Sequence, residues 1–142
     1  PYAEQFIEKT KALGINDRVQ LLGHITNEER HWLYSNMTAF VFPSKTEGFG
    51  LPIIEAMAYA KPVFCSNLTS LPEVGGSFPY YWNSFDAKQM ASVVVEGLKD
   101  FNKSSEHGLL SQKHAETFNW NRAAEEYLEL YDRILHKQKI KS

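Results

Sequence analysis

The sequence predicts an α/β fold in which a parallel sheet is flanked by helices. Two observations carry this. Short β-rich runs, Val19-Gln20-Leu21-Leu22, Ala39-Phe40-Val41-Phe42 and Val63-Phe64-Cys65, alternate with segments of helical spacing, and that order builds a parallel sheet covered on both faces. Pro43 closes the second run, and a polar turn bearing Gly48 and Gly50 leads into a helix with Pro52 in its first turn, where a missing N–H is no loss. Right-handed crossovers then place every strand-to-helix turn on one edge of the sheet, where ligands of open α/β sheets bind. That edge gathers residues 23–26, 44–50 and 66–70.

Each element has its own local signal. Glu4 to Leu13 is expected to be helical, with Gly14 as its stop. Val19 to Leu22 reads as a strand ending at Gly23, and Thr26-Asn27-Glu28-Glu29 has the form of a capping box opening a helix to about Asn36 that buries Trp32 and Leu33. Ala39 to Phe42 is expected as a short buried strand, Leu51 to Tyr59 as a helix and Val63 to Cys65 as a strand. Leu71 to Gly76 reads as a turn or broken helix, and Tyr80-Tyr81-Trp82 as an edge strand. Asp86 caps a helix whose apolar positions are Met90, Val93, Val94, Leu98 and Phe101. Residues 106–118 suggest another helix, and residues 119–137 a long amphipathic one.

Length and composition narrow the class. A chain of 142 residues reads as one domain, residues 1–142, burying roughly 68% of its unfolded surface. The 43% hydrophobic content, 23% charged content and net charge of −2 give no reason to expect nucleic acid as a partner. Cys65 has no second cysteine to pair with and reads as a buried side chain in a reducing compartment. No apolar run reaches the roughly 18 residues of a membrane span, and the first residues lack the marks of a signal peptide. A cytoplasmic location is therefore expected. The opening Pro1, with no methionine before it, suggests a piece of something longer. Three formal glycosylation sites, at Asn36, Asn67 and Asn102, are read as chance.

The chemistry concentrates at the glycine turn. A helix start there offers unpaired backbone N–H groups and the positive end of a helix dipole, which suit a phosphate. Glu47 on the turn and Glu55 on the helix bracket it with seven residues between them. Carboxylates repel phosphate but accept hydrogen bonds from hydroxyls, so a ligand with a central diphosphate and sugar hydroxyls on either side satisfies the arrangement. A nucleotide sugar has that layout. Other readings are weaker. Ile53 stands where a dinucleotide fingerprint needs its last glycine, Lys45 reads as a solvated loop lysine with contact to phosphate as the alternative, and His24 is as readily structural as ligand-facing. Phe49 can plug the turn while its backbone meets ligand. Glu73 is open between a structural and a functional role. His107 and His114 lack the spacing of a helical metal pair, and no metal site is expected. Arg133, Lys137, Lys139 and Lys141 read as a solvated basic helix end, with contact to an anionic membrane as the minority reading.

Glu47-Gly48-Phe49-Gly50-Leu51-Pro52 through Glu55-Ala56-Met57 resembles the Glu-x7-Glu signature of the retaining family 4 glycosyltransferases. Leu22-Gly23, Phe42-Pro43-Ser44, Pro62-Val63, Leu71-Pro72-Glu73-Val74 and Phe118-Asn119-Trp120 are similar to the family in order and spacing. The resemblance implies the Rossmann-like C-terminal half of a two-domain GT-B architecture, which holds the nucleotide-sugar donor. It implies that Glu47 meets the donor's hexosyl hydroxyls in the catalytic site and that the stretch Gly48, Phe49, Gly50 and Leu51 meets sugar and phosphate. Glu55 would take the ribose hydroxyls, and His24 and Ile25 would lie where the base is held. The resemblance further implies a UDP-, GDP- or ADP-linked sugar as donor, used as substrate with no cofactor and no metal expected, and a polysaccharide such as a lipopolysaccharide, or a glycolipid, as acceptor at the cytoplasmic membrane face.

Two departures stand out. The Arg and Lys that clamp the diphosphate in the family would precede Pro1, as would the N-terminal acceptor domain and the first part of this one. The isolated chain is therefore expected to be inactive and to bind donor weakly or not at all. Ala60 also stands where a glycine is common. A sugar-nucleotide epimerase of the same architecture and a non-catalytic interaction module are the alternatives.

Overall fold

The computed structural model describes residues 2–139, with side chains as far as His136. The backbone divides into two compact units, one ending at Leu33 and the other beginning at Tyr34.

In the first unit, α1 spans Tyr2–Ala12. It ends where Gly14 takes φ +66 and the N–H groups of Gly14 and Ile15 bond back to the carbonyls of Lys11 and Thr10, at 3.0 Å each, the Schellman pattern that favours glycine. A short 3-10 turn follows at Asn16–Arg18. The strand expected over Val19 to Leu22 does not form. Among the described residues no ladder pairs with it, and a strand without a hydrogen-bonded neighbour has nothing to hold its extended backbone. The capping box is as expected: the Thr26 N–H bonds Glu29 Oε2 at 2.8 Å and the Glu29 N–H bonds Thr26 Oγ1 at 3.2 Å. It opens α2, Asn27–Asn36, on which Trp32 is 63% exposed rather than buried.

The second unit holds the sheet. Strands β1 (Phe40–Phe42), β2 (Val63–Ser66) and β3 (Tyr80–Trp82) run parallel in that order, with Phe40 opposite Val63 and Phe64 opposite Tyr80. Side chains alternate across the sheet. Val63 and Cys65 point into a core with Ile53, Ile54, Ala56 and Met57 of α3 (Leu51–Ala58), Leu71 and Val74 of α4 (Leu71–Gly75) and Ala115 of α6 (His107–Glu116). Phe64 points the other way, against α5 (Ala87–Lys103). There a Cβ on Gly97 would come within 2.5 Å of Phe64 and 2.8 Å of Tyr80. Helices thus cover both faces of β2, which explains its buried run. β1 is less buried than its sequence suggests: Val41, on the same face as Phe64, is 46% exposed, whereas Phe64 and Tyr80 of β2 and β3 lie against α5 at Gly97.

The expected turn or broken helix at Leu71 is the short α4, and Asp86 Oδ1 accepts the Gln89 N–H at 3.0 Å as the cap of α5. Burial in the sheet pushes the Cys65 thiol up to about 12. The two α6 histidines are structural. His107 Nε2 reaches the Phe78 carbonyl and His114 Nε2 the Val74 carbonyl, both at 2.9 Å, so each ring carries its proton on Nε2, because a carbonyl only accepts. The last helix, α7, runs over Trp120–Lys139. The side chains of Lys137 and Lys139, and Lys141, lie outside the described residues. No helix among the described residues is long and apolar enough to cross a membrane.

Candidate functional site

β1 delivers the chain at Pro43 to the polar turn, and α3 carries it away. The depth of the turn is set by Gly50, the N-cap of α3, at φ +98. A Cβ there would lie 2.6 Å from Leu71 Cδ2, and φ in that range is strained for any side chain. Gly48 is different. It has open space where a Cβ would be and no positive φ, so the fold itself does not require the glycine expected there.

α3 buries Ile53, Ile54, Ala56 and Met57, which anchors it and leaves its mouth open: Phe49 is 45% and Leu51 60% exposed. The acids expected to bracket the mouth are both half-buried, Glu47 on the turn and Glu55 on α3. Glu55 Oε2 accepts a hydrogen bond from the Tyr34 hydroxyl at 2.9 Å. Tyr34 is itself stacked on Tyr59, with ring centroids 5.5 Å apart. Phe49 meets Phe118 edge-on at 5.9 Å, so its ring props the turn from α6's end while its backbone stays at the mouth. Lys45, read as merely solvated, holds its ammonium 5.2 Å from the centre of the Phe85 ring, a cation–π contact.

The backbone of the turn is held by the segment after β2. The Glu47 N–H donates to Thr69 Oγ1 at 3.2 Å, and the Ser70 hydroxyl lies 3.1 Å from the carbonyls of both Glu47 and Phe49. Sequence reading brought residues 66–70 to this edge but missed what Thr69 and Ser70 do there, and it missed Tyr34 altogether. Hydroxyl partners depend on the packing of distant segments, and a Ser or Tyr in a sequence carries no mark of them.

His24 and Ile25 lie in the first unit, exposed, in the turn that Gly23 enters at φ +67. Two grooves of about 290 and 490 Å3 are lined by first-unit residues such as Phe6, Thr10 and Val19, and none of the expected site residues borders either. Among the described residues no cluster of His, Cys, Asp and Glu is placed to hold a metal ion.

Comparison with known proteins gives the family. The sequence profile described as glycosyl transferases group 1 matches residues 1–79, more than half of the chain. The chain belongs to this family. Among curated members, the O-antigen chain mannosyltransferase B of Escherichia coli is 34% identical over 113 residues, covering 80% of this chain and 30% of that protein. The O-antigen chain mannosyltransferase RfbU of Salmonella typhimurium is 37% identical, over 70% of this chain and 29% of its own length. A D-inositol 3-phosphate glycosyltransferase of Corynebacterium diphtheriae is 32% identical over 90% of this chain and 30% of its own length. The chain thus spans under a third of these relatives. Among solved structures, sucrose-phosphate synthase from Thermosynechococcus elongatus superposes with a TM-score of 0.79 at 27% identity, covering 95% of this chain and 35% of that one. The catalytic domain of starch synthase IV from Arabidopsis thaliana, solved with ADP and acarbose, shares the fold at a TM-score of 0.68 and 19% identity, over 92% of this chain and 29% of that one. The group 1 glycosyltransferase fold is the GT-B, Rossmann-like architecture expected from the sequence.

Proposed function

We propose that the Glu47–Gly50 turn and α3 bind the nucleotide-sugar donor of a retaining glycosyltransferase, which moves a hexosyl group, mannosyl by analogy with the O-antigen relatives, to a polysaccharide or glycolipid acceptor. The observation that supports this reading is the exposed start of α3 at Phe49 and Leu51, with half-buried Glu47 on the turn before it and half-buried Glu55 on the helix, in a chain of the group 1 glycosyltransferase family. Glu47 accepts from the hydroxyls of the donated sugar. The backbone of Phe49, Gly50 and Leu51 faces sugar and phosphate, where N–H groups at a helix start stabilise the charge developing on the departing diphosphate. Glu55, steadied by the Tyr34 hydroxyl, takes the ribose hydroxyls. The donor is a substrate, and the reading invokes no resident cofactor or metal. A cytoplasmic setting at the inner membrane face, where glycolipid acceptors are made, goes with it.

The test is an NMR titration of the chain with UDP-, GDP- and ADP-hexoses at millimolar concentration. One base class is expected to shift the amides of residues 46–51 and 55. Glu55→Gln keeps an acceptor for Tyr34 but loses the charge, and should weaken binding roughly ten-fold or more, as hydrogen bonds to a charged group warrant. Equal binding by Glu55→Gln would remove Glu55 from the ribose role, and shifts confined to other residues would overturn the donor reading.

A further inference from the structure

The turn that carries Glu47 has few internal hydrogen bonds; the Ser44 hydroxyl on the Thr46 carbonyl, at 3.2 Å, is one. Its shape is imposed from the neighbouring strand-to-helix segment by three hydroxyls in a row. Ser66, fully buried at the end of β2, donates to the Ser44 carbonyl at 2.7 Å. Thr69 accepts the Glu47 N–H, and Ser70 faces the carbonyls of Glu47 and Phe49. The peptide bonds are all trans, and in a trans peptide the C=O and the following N–H point in opposite directions. A hydroxyl that holds the Glu47 and Phe49 carbonyls therefore aims the N–H groups of Gly48 and Gly50 away from α4. With its one hydrogen shared between them, it also offsets part of the negative potential of carbonyls that would otherwise repel an anion.

Thr69 adds a second, independent sign. It stands at φ +52, left-handed backbone that a β-branched residue rarely adopts. Such strain persists only where the surroundings over-determine it, and it gathers at functional sites. Glycine would relieve the strain at this position, but glycine has no hydroxyl to receive the Glu47 N–H.

We propose that Ser70 and Thr69 are positioning residues that orient the peptide planes of the Glu47–Gly50 turn toward the sugar and phosphate of the donor. The proposal rests on the donor-binding reading and names what makes that site rigid. Neither residue touches donor in this account. They act through the turn, as a preformed lining that does not have to be ordered when ligand arrives.

The experiment combines 15N relaxation of the free chain with amide shifts at a fixed millimolar concentration of the donor chosen above. In the wild type, residues 46–51 should show order parameters close to the rigid value of about 0.85. Ser70→Ala should lower them toward about 0.6 while β2 and α3 stay rigid. The same variant should weaken donor binding on the order of ten-fold, the scale of one lost hydrogen bond with its geometric consequences. Ser70→Thr, which keeps the hydroxyl, should restore both readouts. Thr69→Gly should bind donor more weakly with its thermal midpoint unchanged or raised, a split that a merely structural role would not produce.

A turn as ordered in Ser70→Ala as in the wild type, or a loosened turn that binds donor equally well, overturns the proposal and leaves the donor reading standing. Amide shifts in the wild type that fall outside residues 46–51 and 55 overturn the donor reading, and the positioning role with it.

Discussion

Helices α3 and α7 make opposite uses of apolar residues. α3 has only eight residues, yet four of them, Ile53, Ile54, Ala56 and Met57, are buried against the sheet. α7 has twenty, and Tyr127, Leu128, Tyr131 and Leu135 along it are between 56% and 66% exposed. What holds α7 in shape is local: Asn119 Oδ1 accepts the Arg122 N–H at 2.9 Å as a cap, and Arg122 pairs with Glu126 one turn on at 2.9 Å. Interactions of that kind contribute about 1 kcal/mol for a cap and roughly 0.3–0.5 for a surface pair. Apolar spacing shows that a helix has a face to bury; the strength of the element depends on what lies against that face. The helix that carries the candidate site is the one the core holds.

The largest effect should come from breaking the α3 side of this contrast. Ile53→Ala removes a fully buried side chain from the centre of the core. It should cost about 2–5 kcal/mol, a large part of the roughly 5–15 kcal/mol that holds a domain of this kind. Urea unfolding followed by circular dichroism measures it, and a cost below about 1 kcal/mol would mean that α3 is not packed as described. Because the turn is set on α3 through Gly50, donor binding should fall in parallel.

A smaller effect, of opposite sign, should come from the end of the same helix. α3 closes with the hydrogen bonds that close α1: the Ala60 N–H reaches the Met57 carbonyl at 2.8 Å and the Lys61 N–H the Ala56 carbonyl at 3.2 Å. In α1 the left-handed residue is Gly14, whereas here it is Ala60, at φ +54. Left-handed backbone costs an L-residue roughly 1–2 kcal/mol, and the greater freedom of an unfolded glycine returns roughly 0.5–1. Ala60→Gly should therefore stabilise by about 0.5–1 kcal/mol in the same urea experiment. A loss would show that the alanine methyl contributes packing worth more than the strain it causes.

Much of the second unit was legible because its signals are local. Pro43, Gly50 and Pro52 punctuate a strand, a turn and a helix by their own stereochemistry, Asp86 caps α5, and Ala60 stood out as an alanine in a glycine's place before its φ was known. Where the reading failed, the deciding partner was elsewhere. Val19 to Leu22 has the composition of a strand, but a strand is defined by its neighbour. Trp32 has the apolar spacing of a buried position yet is 63% exposed. The roles of Tyr34, Thr69 and Ser70 rest on hydroxyl contacts that span 21 or more residues, and no spacing rule reaches that far. Gly48 shows that two glycines of one turn can differ, since Gly50 is required by its φ and its contact with Leu71 whereas the backbone of the turn makes no such demand at Gly48.

The smallest effect sharpens the contrast from the α7 side. Leu128 is 66% exposed, so Leu128→Ala removes little buried area, and alanine is the better helix former by a few tenths of a kcal/mol. Stability should stay within about 0.5 kcal/mol of the wild type, against the 2–5 kcal/mol that a buried leucine or isoleucine commands. The two variants differ by similar chemistry at a helix surface, which makes the pair a direct measure of what covers each face. A loss of about 2 kcal/mol or more at Leu128 would mean that the apolar side of α7 is covered in solution, and the distinction between a helix held by the core and one held by its own cap would fail.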